Sequence, residues 1–308
     1  MAFYKKIKAL GTEVEFYFSN PTDLSAQDFK ELKKIVSDFE KTFSRFKKDS
    51  ELSRLNYSSK PFIVSSQMMT VLNLAKKYFK TTKGIFDPTI AKTLINLGYN
   101  QSFEKVVDGD LKKEKFLINF DLVKINKKKH LVSKDSLVDL DLGGIAKGFL
   151  VDYLVNHLAS RGYSNFWLSA GGDMYLQGLN SDAAAFKIDL ENPVDKQQTL
   201  ALLTLNYPKL AVATSGVLTR KWFNGDKMVH HLIDPRTKKP AKNKILSVTA
   251  LTDSVTRADI IAKTVLILGI KEGLLFAGRQ KGVELIIVDN KLNIILSNKL
   301  KSCRVDII

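Results

Sequence analysis

The chain has 308 residues, 44% hydrophobic and 26% charged, which is ordinary globular usage: it can bury a sizeable core, and disorder is not the expectation. Lys and Arg number 48 against 32 Asp and Glu, a net charge of +16 that raises nucleic acid, an anionic membrane or a polyanionic substrate as partners. One cysteine, Cys303, excludes an internal disulfide and a cysteine zinc cluster, and leaves the redox compartment open.

The positive excess is mostly lysine. Much of it lies in runs such as Lys112-Lys113-Glu114-Lys115 and Lys127-Lys128-Lys129, the pattern of a solvated face, with no interleaved Arg and aromatics of the kind that stack bases. No nucleic-acid partner is expected. No apolar run approaches the roughly 20 residues needed to span a bilayer, so no transmembrane segment is expected. The start, from Met1 to Phe18, lacks the charged-apolar-small order of a secretory signal. As it stands the chain reads as cytoplasmic; with a signal removed it would be exported, periplasmic or membrane-tethered.

In chain order, residues 11–19 read as a strand by the alternation from Val14 to Phe18, and Asn20-Pro21-Thr22-Asp23 as a turn and helix cap. From Ser25 to Phe43, the residues Phe29, Leu32, Val36, Phe39 and Phe43 recur at helical spacing. A second amphipathic helix covers 65–82 and stops near Gly84. Residues 100–137 are lysine-rich, with short strands from Phe116 to Phe120 and at Leu131-Val132. An alternating strand from Val138 runs into a Gly-Gly turn, then a helix from Gly148 to Arg161 ended by Gly162. Strands follow at 165–169, 174–177, 185–190, 199–205 and 246–251, then helices at 257–268 and about 271–281, and a hairpin of 283–288 with 292–296 around Asp289-Asn290. There is no regular βαβ alternation, repeat or long linker. The expected fold is therefore α+β, with mixed and antiparallel sheets and flanking helices, in a single domain spanning 1–308.

Five segments invite chemistry. Asp141-Leu142-Gly143-Gly144-Ile145-Ala146-Lys147-Gly148 reads either as a phosphate cradle at a helix N-terminus, with Lys147 as a point charge, or as a plain tight turn. It is neither a dinucleotide fingerprint nor a P-loop. Ser169-Ala170-Gly171-Gly172-Asp173 reads as a bulge or turn, and Ala213-Thr214-Ser215-Gly216 as a hydroxyl-bearing turn without the frame of a nucleophile elbow. His230 and His231 precede Asp234-Pro235-Arg236. As strand neighbours they point to opposite faces and are poor joint metal ligands, so each is structural, a general base or a substrate contact. Asp259 opens the late helix one turn before Lys263, and by itself the pair is an ordinary i,i+4 ion pair.

Taken in order, these segments resemble the ApbE family of FAD:protein FMN transferases. The resemblance also takes in Gly11-Thr12, Phe46, the run Asp49-Ser50-Glu51-Leu52-Ser53-Arg54-Leu55-Asn56, and Gly84-Ile85-Phe86-Asp87-Pro88-Thr89, so it extends nearly end to end. It implies an enzyme that binds FAD with Mg²⁺ on its pyrophosphate. The FMN half moves to a Thr or Ser hydroxyl of an acceptor flavoprotein of the redox-subunit type, and AMP is released. Two alternatives remain open: a metal-dependent FAD diphosphatase making FMN and AMP, and a non-catalytic FAD-binding protein. By position, FAD contacts fall on Leu10, Phe46, Phe86, Asp87, Pro88, Asp141, Lys147 and Ile233. The metal falls on the Gly144 carbonyl, Asp259 and the position of Lys263, and the catalytic residues are His231 and Asp259. The family pattern has Thr where Lys263 stands, and Thr264 is turned about 100° around the helix from that place. An ammonium cannot ligate Mg²⁺, which leaves three outcomes: Mg²⁺ binds with fewer protein ligands, the Lys263 ammonium takes over part of the cation's role, or catalysis is weak. The expectation is a retained transferase with a modified metal site.

Overall fold

The structure, a computed structural model, describes residues 2–20, 24–101, 115–298 and 300–308. Residues 21–23 of the expected turn and cap, and most of the lysine run at 112–115, lie outside the described residues. The chain forms two compact units, one of Met1–Ser37, Lys147–Thr219 and Asn243–Ile308, the other of Asp38–Ala146 and Arg220–Lys242.

The first unit is built on an eight-stranded sheet: β1 (Phe3–Ala9), β2 (Thr12–Phe18), β3 (Phe166–Ala170), β4 (Asp173–Gln177), β5 (Lys209–Gly216), β6 (Ile245–Thr252), β7 (Glu284–Asp289) and β8 (Ile294–Leu296). Spatial order follows chain order and every neighbouring pair is antiparallel. Two two-residue hairpins lie side by side at one end. Leu10 and Gly11 have φ of 54° and 67°, and Gly171 and Gly172 have 66° and 91°, the paired positive values of a type I′ turn, whose twist matches the strands it joins. Gly171 has a second constraint, since a Cβ there would lie 2.4 Å from Thr12 Oγ1.

Both faces of this sheet are covered. On one side, strands Lys187–Glu191, Thr199–Leu205 and Cys303–Ile307 form a small sheet. Its Leu190, Leu203 and Cys303 pack with Leu210, Val212, Leu251 and Val288 of the large one. On the other side, helix α1 (Gly143–Ala159, mostly in this unit), α2 (Val255–Leu268) and α3 (Ile270–Gly278) follow in the chain, and α2 packs on β5 and β6. The small residues Ala211, Ala213 and Ala250 alternate away from the leucine face, which suits a close helix. Double coverage explains why β5 escapes the sequence reading. Six of its eight residues are buried, so polar and apolar residues do not alternate, and Ala213-Thr214-Ser215-Gly216 is strand rather than turn.

The start of α2 is held by a carboxylate from α1. Asp152 accepts hydrogen bonds from the backbone N–H groups of Val255 (2.8 Å) and Thr256 (2.9 Å) and from the hydroxyls of Ser254 (2.9 Å) and Thr256 (2.5 Å). These satisfy donors a helix start leaves unpaired. Asp152→Ala is therefore expected to lower unfolding stability by about 2 kcal/mol, read as a lower urea midpoint, with Asp152→Asn intermediate.

The second unit carries helices Glu51–Tyr57, Ser66–Thr81 and Ala91–Asn96, a three-stranded sheet of Phe62–Ile63, Leu131–Lys134 and Val123–Asn126, and the hairpin Lys221–Asn224/Lys227–His230. Ser50 and Ser65 cap the first two helices. The expected strand from Phe116 to Phe120 is absent; the chain turns into a short 3-10 segment at Phe120–Leu122, capped by the Asn119 side chain. Residues 138–142 join no ladder. Asn56 takes the place of a partner strand, donating to the Leu140 carbonyl (2.8 Å) and accepting from the Leu140 N–H (2.9 Å). Among the described residues no helix is long and apolar enough to cross a membrane.

Candidate active site

In the first unit the site is made of two buried carboxylates, each tied to a lysine. Asp259, in the opening turns of α2, is 1% exposed, and its Oδ1 accepts from the Lys263 ammonium. Its Oδ2 is buried and has no hydrogen-bond partner. A buried carboxylate oxygen left unpaired costs folding free energy, so its persistence points to a ligand. Thr264 does not supply a nearby oxygen. Its hydroxyl is fully buried and donates to the Ile260 carbonyl (2.7 Å).

The second carboxylate is Asp173, 2% exposed at the start of β4, which accepts from Lys147 Nζ. Lys147 is thereby drawn to the end of the sheet where the Leu10-Gly11 hairpin sits, and Leu10 adopts its positive φ there. Gly143 and Gly144 are not a turn before the helix but the first residues of α1. The Gly144 carbonyl therefore enters the helical ladder, and only its second lone pair is left for a metal.

In the second unit, Arg45 organises the site. Its Nε donates to Asp141 Oδ2 (2.6 Å), and its guanidinium lies 4.2 Å from the Phe46 ring centroid and 4.5 Å from that of Tyr99. Asp141 Oδ1 accepts from Gly143 N–H (2.7 Å), so one carboxylate joins Arg45 to the start of α1. Phe46 and Ile233 fall in one apolar cluster with Tyr99 and Trp222, the rings 5.6 Å (Phe46–Tyr99) and 5.3 Å (Tyr99–Trp222) apart. Trp222 Nε1 donates to the Leu97 carbonyl (2.6 Å), which fixes the indole.

Asp87 is committed to the backbone. Its Oδ1 accepts from the N–H (2.8 Å) and hydroxyl (2.6 Å) of Thr89 and its Oδ2 from Phe120 N–H (3.2 Å). Burial pushes its pKa up against these bonds. It caps the 3-10 turn that begins at Pro88, whose carbonyl accepts from Asp141 N–H (2.8 Å), while Phe86 is buried just before it.

His230 ends the strand Lys227–His230, and His231 lies in the bend just after it, so the two are not strand neighbours. His230 Nε2 lies 3.0 Å from the Ala241 carbonyl and its Nδ1 3.3 Å from Leu232 N–H, a pair of contacts that fits one neutral tautomer. Burial holds its pKa below the ordinary value. His231 Nδ1 lies 3.4 Å from the Arg220 carbonyl, which favours the tautomer protonated at Nδ1 and basic at Nε2. For His230 the folded pKa is the lower one, so its contribution is present above the unfolded value of about 6.5 and lost as pH falls through the folded value. Urea midpoints at pH 7.5 and 5.5 should therefore differ more for the wild-type chain than for His230→Gln.

The ApbE family model matches residues 10–287. The chain belongs to the ApbE family. A Vibrio cholerae relative named FAD:protein FMN transferase is 33% identical over 266 residues, 84% of this chain and 78% of the relative. A Haemophilus influenzae relative of the same name is 26% identical over 289 residues, 90% and 81% of the two chains. Among solved structures, the flavin transferase ApbE from Vibrio cholerae aligns over 97% of both chains with a TM-score of 0.82 at 26% identity. The ApbE protein of Thermotoga maritima aligns over 97% of both chains at 0.84 and 23%, a likeness of fold. The mixed helix and antiparallel sheet expected of an ApbE-family chain is the fold found. Sequence reasoning missed Arg45, Tyr99 and Trp222 as site-forming residues, and quoted Asp173 only within a segment read as a bulge or turn. Arg45 stands directly before Phe46, but nothing local marks its pairing with Asp141, nor that of Asp173 with Lys147 26 positions away.

Proposed function

We propose that the chain is an FAD:protein FMN transferase acting as a single functional domain over 1–308. The observation that carries this reading is the buried, unspent oxygen of Asp259 in a chain matched nearly end to end by enzymes of that name. FAD would be read in two parts. The Phe46–Tyr99–Trp222–Ile233 cluster suits a flat ring system, with Phe86, Pro88 and Leu10 as further apolar contacts. Lys147, held by Asp173, suits the pyrophosphate. Asp141 and Asp87 serve this set by holding the backbone at Gly143 and at Pro88-Thr89.

In the reaction, the oxygen of a Thr or Ser hydroxyl on an acceptor flavoprotein attacks the FMN-side phosphorus. The new O–P bond forms as the bridging P–O bond breaks, AMP leaves, and the hydroxyl proton passes to His231 Nε2. Such a transfer is accelerated by positioning and by fixed positive charge on the developing phosphoryl oxygens. Asp259 Oδ2 fits a hard cation, and Mg²⁺ commonly takes one or two carboxylates and completes its shell with phosphate oxygens and water. Asp259 would hold it. Bound there, Mg²⁺ would neutralise pyrophosphate charge.

The test is incubation with FAD, an acceptor segment rich in Asp, Ser and Thr, and Mg²⁺ or EDTA, followed by intact mass and AMP analysis. A covalent flavin adduct with equimolar AMP is expected. AMP with free FMN in the absence of acceptor would select the diphosphatase instead. Tight FAD binding without turnover across Mg²⁺ and Mn²⁺ concentrations would select a non-catalytic binder.

A further inference from the structure

Among the described residues, no group of three His, Cys, Asp or Glu side chains is placed to hold a metal ion. The charge nearest Asp259 is instead a cation of the chain itself. Its Oδ1 is taken by the Lys263 ammonium, its Oδ2 is buried and unpartnered, and the adjacent hydroxyl of Thr264 is spent on the Ile260 carbonyl. The carboxylate side chain is 1% exposed and the lysine side chain 15%. Lys147 and Asp173 repeat the pattern in the same unit, at 15% and 2%. Two buried carboxylates each hold an ammonium, and ammonium groups suit a polyanion.

We propose that Lys263 is the resident cation of this site, weakening the hold of the free protein on a divalent ion and supplying part of the positive charge that FAD pyrophosphate needs. The carboxylate and ammonium together carry no net charge. A dication approaching Asp259 therefore gains little attraction, and must displace the ammonium from Oδ1 or sit on Oδ2 beside it. On the transferase reading, on which the second half of the proposal rests, turnover should persist at divalent concentrations that leave the free protein unloaded.

The experiment measures Mn²⁺ alone binding to the full chain, without FAD, by electron paramagnetic resonance and calorimetry. It compares wild type with Lys263→Thr, Lys263→Gln and Lys263→Arg. Removing a unit positive charge beside a dication should tighten Mn²⁺ by about tenfold or more, even at a water-like dielectric, whereas Lys263→Arg should stay near wild type. A parallel series follows AMP release from FAD against Mg²⁺ concentration. The wild type should keep measurable release in EDTA, and both neutral variants should become strictly Mg²⁺-dependent. Equal Mn²⁺ affinity in wild type and whichever neutral variant folds would overturn the proposal. Absence of AMP from the wild type under every condition would overturn the transferase reading, while the Mn²⁺ comparison would still decide whether Lys263 excludes the dication.

Discussion

Asp259→Asn should lower the rate of flavin transfer by about 10²–10³-fold, the usual cost of removing one fixed electrostatic group from a site where charge develops. The variant keeps the shape of the side chain, and its amide oxygen can still accept from Lys263. What it loses is the negative charge that tethers the ammonium and the buried Oδ2 that has no partner. Folding should change little, which a urea melt checks. A paired substitution gives the sharper reading. Asp259→Leu with Lys263→Met replaces a buried ion pair and an orphaned oxygen by apolar groups of similar length. It should be as stable as the wild type or more stable by about 1–4 kcal/mol, yet inactive. A gain in stability with loss of turnover is the behaviour of a pair kept for function. If the double variant instead unfolds, Asp259 is a structural residue and its role in transfer is withdrawn.

Much of the fold can be read from local patterns because those patterns have local causes. The helix Ala26–Phe43 and the helix Ser66–Thr81 repeat apolar residues at helical spacing, and the late helix Val255–Leu268, buried on nearly every side, stops at Gly269. The strand Thr199–Leu205 appears where alternation places it. The failures share a physical origin in long-range contacts. β5 is covered on both faces and so does not alternate. β1 is lysine-rich and owes its strand to pairing with β2, residue by residue from Phe3 with Phe18 to Ala9 with Thr12. The segment 138–142 alternates like a strand, yet its backbone is answered by the Asn56 side chain. The site divides in the same way. The resemblance names Asp259, Lys147, Phe46 and Ile233, but the partners that give them meaning lie far along the chain. Arg45, Trp222 and the pairing of Asp173 with Lys147 become visible only when the chain is folded.

Gly148 is where the first unit has no slack, and Gly148→Val should lower the melting temperature steeply. Glycine inside a helix ordinarily costs about 1 kcal/mol relative to alanine, so alanine here should help if nothing else mattered. At this position a Cβ would lie 2.7 Å from Thr256 Cα, 2.8 Å from Thr256 N and 2.9 Å from the Val255 carbonyl oxygen. These are backbone atoms at the start of α2, and no rotamer moves them aside. Gly148→Ala should therefore lose about 1–3 kcal/mol net, and valine more, read as a fall of several degrees in thermal unfolding. Gly278→Ala, where a Cβ meets nothing within 4 Å, is the matched control and should be neutral or slightly stabilising. The displaced backbone is also the turn held by Asp152, one turn before Asp259. Any shift that relieves the clash moves the buried carboxylate, so transfer activity should fall further than the loss of folded protein explains. An alanine variant as stable as the wild type would show that the two helices can separate at this crossing without cost, and that the Asp259 geometry does not depend on it.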